Sequence, residues 1–179
     1  VTLVIHDWGS ALGLHYAARH ESNVKGIAMM EAIVGPMSWS EFPAAYKVGF
    51  TMMRAPGIGW LMISVMNTFL NRMLPGAIVR ELSSEERRHY DEPYPSIKSR
   101  KPIRVWPVEI PIDGQPADVH QIVGDYAAWL EETDLPKLLF HARPGGIITR
   151  KIVDLLEQTL SNLETVDVGE GIHYLQEDH

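Results

Sequence analysis

The chain has 179 residues, of which 45% are hydrophobic and 22% charged, and its formal net charge at pH 7 is −7. This composition is typical of one globular domain and excludes a disordered or fibrous protein. The negative charge disfavours nucleic acid or an anionic membrane surface as the main partner. Because the chain contains no cysteine, disulfides, thiolate nucleophiles and Cys-type zinc sites are also excluded.

The first part of the chain predicts two neighbouring strands. Residues 1–5 (VTLVI) form an unbroken apolar run, which is typical of a strand buried on both faces of a parallel sheet. Residues 10–19 have apolar side chains at helical spacing, and a second apolar run, residues 24–30, ends at Glu31. A strand, a helix and a strand in this order predict a βαβ unit with two adjacent parallel strands.

Residues 34–115 differ in composition from the segments on either side, because they are rich in Met, Trp, Phe and Pro. Residues 40–54, 58–74 and 84–90 favour helices, and five prolines interrupt the second half of the region. We interpret residues 34–115 as an inserted helical cap between two parts of an α/β core, residues 1–33 and 116–179.

The alternation of helix and strand returns in the last third of the chain. Residues 116–132 and 149–160 favour helices, and residues 137–141 and 164–168 favour the third and fourth strands. The whole pattern predicts an α/β fold with four parallel strands. Because a central strand opens the chain and a polar loop, GIHYLQEDH, closes it, we expect an internal fragment of a longer protein.

Ionisable side chains follow three of the four predicted strands: Asp7 the first, Glu31 the second and His173 the fourth. Ligands bind beyond the carboxyl ends of parallel strands, so we expect these groups to meet at one edge of the sheet. Together they form a set of nucleophile, orienting acid and base. His6 also lies at this edge, but no HExxH pattern accompanies it, which favours packing over a metal site.

Asp7 lies in the sharp turn IHDWGS between the first strand and the helix, which is the position of the nucleophile in a nucleophile elbow. A carboxylate is ionised at neutral pH and can attack saturated carbon without an activating base. The resulting alkyl ester would be hydrolysed by water that His173 activates, while Glu31 accepts the other imidazole N–H. The alternative, that Asp7 only caps the helix, is disfavoured by the two other groups.

Trp8 follows Asp7 directly, and its indole N–H can donate a hydrogen bond but not accept one. Such a donor beside the attacking carboxylate is suited to binding a departing anion. A core aromatic side chain is the alternative interpretation.

These motifs resemble the haloalkane dehalogenases of the α/β-hydrolase superfamily. The resemblance lies in HDWGSALG, Glu31 24 residues after Asp7, a helical cap and GIHYLQED, and it extends through RVWPVEIPIDGQPA and KLLF over essentially the whole chain. It is strongest for the subfamily whose catalytic acid follows the sixth strand of the full sheet. It implies a partial α/β-hydrolase fold with Asp7 as nucleophile, His173 as base, Glu31 as acid and Trp8 as one halide-binding donor.

The resemblance also implies partners and a substrate tunnel. The expected partners are a small apolar halogenated substrate and water, with no cofactor, metal, nucleic acid or membrane. The tunnel-lining positions of the family fall on Phe42, Phe50, Phe69, Met73, Ala77, Trp106, Pro107, Gly146 and Ile147. Trp106 and Phe69 are favoured to contact an apolar substrate, whereas the others fit packing of the cap equally well.

Members of the family carry further strands before this point, with an asparagine that supplies the second halide donor, and a last helix after it. Without these elements the first strand would expose an apolar edge and face, so we expect the isolated chain to be inactive and poorly soluble. The expected location of the parent protein is cytoplasmic, although any signal peptide would lie upstream.

Two other functions remain open at this point. An epoxide hydrolase shares the Asp–Trp elbow but must protonate a leaving alkoxide, for which Tyr46, Tyr90 and Tyr94 are the candidate acids. A halide leaves as an anion and needs only a hydrogen-bond donor, which favours dehalogenation. The third possibility is a ligand-binding relative that has lost turnover, but the presence of all three catalytic residue types disfavours it.

Overall fold

The structure, a computed structural model, describes residues 1–42 and 44–179. A parallel sheet of four strands in the order β1-β2-β3-β4 lies at its centre. The strands are β1 (Thr2–His6), β2 (Gly26–Ala32), β3 (Lys137–Pro144) and β4 (Leu163–Gly171). The predicted α/β fold, including the pairing of the first two strands in a βαβ unit, is confirmed.

The helices lie between the strands, in one long insertion after β2 and, in the case of the last one, after β4. They are α1 (Asp7–Arg19), α2 (Ala44–Arg54), α3 (Ser84–Asp91), α4 (Lys101–Glu109), α5 (Ala117–Glu132), α6 (Arg150–Thr159) and α7 (Leu175–Asp178). Among the described residues, two π-helical turns (Trp60–Val65 and Phe69–Met73) and two 3₁₀ turns (Glu21–Asn23 and Pro75–Ala77) complete the set. None of the helices in the described part of the chain is both long enough and apolar enough to cross a bilayer.

One apolar core joins the sheet to α1, α5 and α6. Leu14, Met29, Leu139 and Val153 are completely buried in it. Burial of such side chains contributes about 1.5–3 kcal/mol each. This core fixes the strand ends that carry the candidate site.

The insertion between β2 and α5, which we call the cap, has a second apolar cluster of its own. Its buried members are Met53, Ile63, Leu70, Leu74, Ile78 and Ile103. The two ends of the cap contact each other, because Met37 N–H donates to the Pro111 carbonyl (3.2 Å) and Asp113 N–H donates to the Met37 carbonyl (3.0 Å). The cap therefore leaves the sheet and returns to it at one place, although residues 34 and 115 as its boundaries stay a prediction.

The structure differs from the sequence analysis at three places in local detail. The predicted helix over residues 58–74 is two π-helical turns, and between them Asn67 adopts φ +53°. Helix α4 was not predicted, because its prolines predict an interruption of the helix. Pro102 nevertheless lies in the first turn of α4, where a backbone N–H would make no hydrogen bond within the helix, so its absence costs nothing there. The closing segment, predicted as a polar loop, contains the short helix α7.

Candidate active site

Asp7 stands at the turn from β1 to α1, where its φ is +45°. The buried hydroxyl of Ser10 donates to the Asp7 carbonyl (2.5 Å) and accepts from the Ile33 N–H (2.8 Å). This hydroxyl therefore joins the turn to the end of β2, the strand that carries Glu31. No local pattern in the sequence indicates this role of Ser10, because it depends on a contact with a residue 23 positions away.

Glu31 lies at the end of β2 with φ +42°, and its side chain is completely buried. One oxygen, Oε2, accepts from the N–H groups of Gly146 (3.0 Å) and Ile147 (2.6 Å), and Oε1 accepts from Ile148 N–H (3.3 Å). Three backbone donors from the loop after β3 thus compensate for the burial of the carboxylate. A buried carboxylate needs such partners.

Gly146 lets that loop approach the carboxylate closely. A Cβ atom on Gly146 would lie 2.9 Å from Glu31 Oε2 and 3.2 Å from the Ile172 carbonyl oxygen. Since the three amides hold Glu31 in place, a larger residue at position 146 would push the loop away from the acid.

His173 follows β4 and lies between the two carboxylates. Its Nδ1 is 3.3 Å from Glu31 Oε2, and its Nε2 is 3.6 Å from Asp7 Oδ1. The side chains of His173 and Asp7 are 18% and 33% exposed, respectively, so solvent reaches this side of the site. With Nδ1–H donating to Glu31, the lone pair of Nε2 faces the Asp7 carboxylate.

His6 supports the histidine from the other side. Its Nε2–H donates to the His173 carbonyl oxygen (2.9 Å), and the two rings lie 4.7 Å apart. Burial lowers the pKa of His6, and the nearby His173 lowers it further. His6 therefore acts as a neutral hydrogen-bond donor that fixes the backbone of His173.

The indole N–H of Trp8 is already engaged in a hydrogen bond and is not free to bind an anion. Its indole N–H donates to the Trp106 carbonyl oxygen (3.1 Å), and the two indole rings are 4.9 Å apart. A departing anion would have to share this N–H with the carbonyl or replace it. The carbonyl belongs to α4 of the cap, which Arg54 holds through its bonds to the Pro107 (3.1 Å) and Ile110 (2.7 Å) carbonyls.

The residues predicted to line a tunnel fall into two groups. Four of them contact site residues: Trp106 through Trp8, Ala77 through the His173 N–H, and Gly146 and Ile147 through Glu31. The other five belong to the cap, where Phe42 and Phe50 meet edge to face, Phe69 and Met73 pack on its apolar cluster and Pro107 is buried in α4. Contact with substrate stays a prediction for all nine.

Among the described residues, no cluster of three or more His, Asp or Glu side chains could hold a metal ion. The site brings together the carboxylate of Asp7 and the imidazole of His173, which the buried carboxylate of Glu31 orients.

Comparison with known proteins places the chain in a family. The model of the alpha/beta hydrolase fold matches residues 1–179. The chain belongs to the alpha/beta hydrolase family. In this fold a nucleophile elbow is a sharp turn from a strand to a helix, and the turn from β1 to α1 at Asp7 has this geometry.

Similar members of the family are haloalkane dehalogenases. The chain is 43% identical over 179 residues to the haloalkane dehalogenase of Sphingobium indicum, covering 99% of this chain and 60% of that protein. Among solved structures, haloalkane dehalogenase DbeA of Bradyrhizobium elkani matches with a TM-score of 0.96 at 42% identity, over 99% of this chain and 62% of that one. DatA of Agrobacterium tumefaciens matches with a TM-score of 0.92 at 33% identity, over 99% and 61%. The chain thus spans about 60% of the length of these relatives.

Proposed function

We propose that the protein containing this chain hydrolyses haloalkanes to an alcohol and a halide ion. The observation that carries the proposal is the arrangement of His173 between Asp7 and Glu31, with one ring nitrogen toward each carboxylate. The identity of 43% to a haloalkane dehalogenase supports the choice of substrate class.

In the first step, an Asp7 carboxylate oxygen attacks the carbon that carries the halogen. The new C–O bond replaces the carbon–halogen bond, and the halogen leaves with the bonding electrons as an anion. The indole N–H of Trp8 stabilises the departing halide when it exchanges the Trp106 carbonyl for the anion.

In the second step, water attacks the carbonyl carbon of the Asp7 ester. His173 Nε2 takes the proton from that water, and Glu31, 3.3 Å from Nδ1, stabilises the imidazolium that forms. When the C–O bond to the alkyl group's oxygen breaks, that oxygen takes the second proton of the attacking water, which releases the alcohol and regenerates the Asp7 carboxylate. His173 then returns its proton to solvent, to which its side chain is 18% exposed.

Two of the three tyrosines named as candidate acids for an epoxide hydrolase, Tyr90 and Tyr46, receive no support from the geometry. The Tyr90 hydroxyl donates to Glu177 Oε1 (2.5 Å), and burial raises the Tyr90 pKa above its ordinary value. Tyr46 is half exposed on α2. Dehalogenation therefore remains the function that we propose.

The test uses His173→Phe in the complete gene product, incubated with a bromoalkane. Asp7 should still attack, so we expect the release of one equivalent of bromide and a stable alkyl adduct, which intact-mass analysis and peptide mapping place on Asp7. His20→Phe, at the far end of α1, is the matched control and should turn over like the wild type. An adduct on another residue would refute Asp7 as the nucleophile, and a wild-type protein that releases no halide would refute the function.

A further inference from the structure

The loop that carries His173 is bound by the cap and not only by the sheet. The backbone N–H groups of His173 and Tyr174 both donate to the Ala77 carbonyl oxygen, at 3.1 and 3.2 Å. Ala77 ends a short 3₁₀ turn of the cap. The position of the base therefore depends on how firmly this part of the cap is attached to the chain beyond His173.

Asp178 supplies one attachment. Its Oδ1 accepts from the backbone N–H groups of Val79 (3.0 Å) and Arg80 (3.1 Å), and Oδ2 also lies 3.2 Å from the Val79 nitrogen. These two amides follow Ala77 closely in the chain. The Asp178 carboxylate, mainly through Oδ1, thus holds the cap segment that binds the backbone of His173.

Glu177 supplies the second attachment. Its carboxylate accepts from the Tyr90 hydroxyl (2.5 Å) and from the Arg80 guanidinium (3.0 Å), and its carbonyl accepts from Arg80 Nε. The same guanidinium donates to Glu86 at 2.8 and 3.0 Å, and Glu86 closes a capping box with Ser83 at the start of α3. We call Arg80, Tyr90, Glu177 and Asp178 the cap clamp.

We propose that the cap clamp positions His173 for hydrolysis of the ester, so that Asp178 and Glu177 are positioning residues for the second step of the reaction. This role rests on the proposed function. Asp7 and Glu31 are held by Ser10, β2 and the amides after β3, none of which involves the clamp. His173 alone among the three has its backbone N–H bound to the cap.

The two steps should therefore respond differently when the clamp is broken. Attack by Asp7 needs the elbow and the halide donor, whereas attack by water needs Nε2 of His173 in a narrow range of positions. A displacement of about 1 Å can lower a rate about a hundredfold. Loss of the clamp should thus let the alkyl ester accumulate.

The experiment compares Asp178→Ala with Asp178→Asn in the complete gene product, using a bromoalkane and rapid mixing. In Asp178→Ala we expect a first-turnover bromide burst at the wild-type rate, followed by steady-state turnover about 10–100-fold slower and an adduct on Asp7. Asn keeps an oxygen at the position of Oδ1, which accepts both amides, so Asp178→Asn should recover most of the steady-state rate. Asp125→Ala, which removes an exposed carboxylate bonded to Gln121 on α5, is the matched control and should leave both phases unchanged.

Two results would overturn the proposal. The burst and the steady state could fall together in Asp178→Ala, or the rate per folded molecule could stay at the wild-type value while only the unfolding midpoint drops. A milder variant, Tyr90→Phe, removes one donor to Glu177 while keeping the ring, and it should slow only the steady state by a smaller factor.

A measurement without substrate separates the clamp from the proposed function. In spectra of ¹⁵N-labelled protein that correlate ring nitrogens with ring protons, Asp178→Ala should shift or broaden the signals of His173 and leave those of His20 in place. Unchanged His173 signals would refute the positioning role even if the wild type is a dehalogenase. Shifted His173 signals in a protein that releases no halide would support the positioning role of the cap clamp and refute the proposed function.

Discussion

Replacing Glu31 with Gln would test how strongly the buried carboxylate holds the site together. The amide oxygen can keep the place of Oε2 and its bonds to Gly146 and Ile147, but the NH₂ group then faces the Ile148 N–H at about the present 3.3 Å. The Ile148 N–H and the new NH₂ group are then both buried donors without an acceptor, at about 1–3 kcal/mol each, and the two retained bonds weaken because their acceptor loses its charge. Relief of the buried charge offsets part of this, so we expect a loss of about 2–4 kcal/mol in the free energy of unfolding.

The same substitution removes the partner of the imidazolium. At 3.3 Å and an effective dielectric constant of about 20, a unit charge pair attracts by about 5 kcal/mol. Solvent at His173 screens part of this, so ester hydrolysis should slow by about 10²–10³-fold, at about 1.4 kcal/mol for each factor of ten. The burst of halide from the first step should keep its rate, because Asp7 attacks without help from His173.

Urea unfolding of the complete gene product measures the loss in free energy of unfolding. Rapid-quench halide release measures the burst and the slower ester hydrolysis in the same protein. Glu164→Gln, an exposed carboxylate on the edge strand β4, is the control and should match the wild type in both. Wild-type stability together with a steady-state rate within about twofold of the wild type would refute the roles of Glu31 in packing and in pairing with the base.

Two further predictions concern the neighbours of Asp7. Trp8→Phe should slow the first step by about 10²–10³-fold, as expected for a lost transition-state donor, and an unchanged rate of the halide burst would remove Trp8 from the mechanism. His6→Gln should change the pH dependence of stability. Burial and the nearby His173 lower the pKa of His6 below 6.5 in the folded protein. As pH falls below about 6.5, the unfolded chain therefore binds a proton at His6 before the folded protein does. The wild type then loses stability down to the folded pKa, by at most about 1.4 kcal/mol per pH unit. In urea unfolding at pH 8 to 5, the stability of the wild type minus that of the variant should be constant above pH 6.5 and shrink below it; a constant difference throughout would contradict the burial of a neutral His6.

The first three strands could be predicted because each contains a short apolar run, whereas apolar and acidic residues alternate in β4. The parallel sheet in turn predicted that Asp7, Glu31 and His173 meet, since the carboxyl ends of parallel strands share one edge. The strand bounds were less accurate, as in β3, which continues to Pro144 beyond the apolar run at 137–141. Backbone pairing of Arg143 and Pro144 with β4 extends the strand. Such pairing uses backbone atoms and therefore does not depend on apolar side chains.

Contacts between distant residues could not be predicted from patterns of neighbouring residues. The amides of Gly146, Ile147 and Ile148 bind Glu31 through backbone atoms, which every residue type possesses. The bond from Trp8 to the Trp106 carbonyl has the same character. The resemblance indicated which of these positions matter, but it did not indicate which atoms they use.

Asp7 and Glu31 both have a left-handed backbone, with φ of +45° and +42°. Each such conformation costs a residue with a side chain about 1–3 kcal/mol, whereas glycine adopts it freely. At Glu31 the three amides that bind the buried carboxylate outweigh this cost. The Asp7 side chain is 33% exposed, so a mutant library screened only for yield or heat tolerance would enrich glycine at position 7. On the proposed mechanism those survivors would lack the nucleophile. Screens of this protein for robustness should keep a turnover assay in every round.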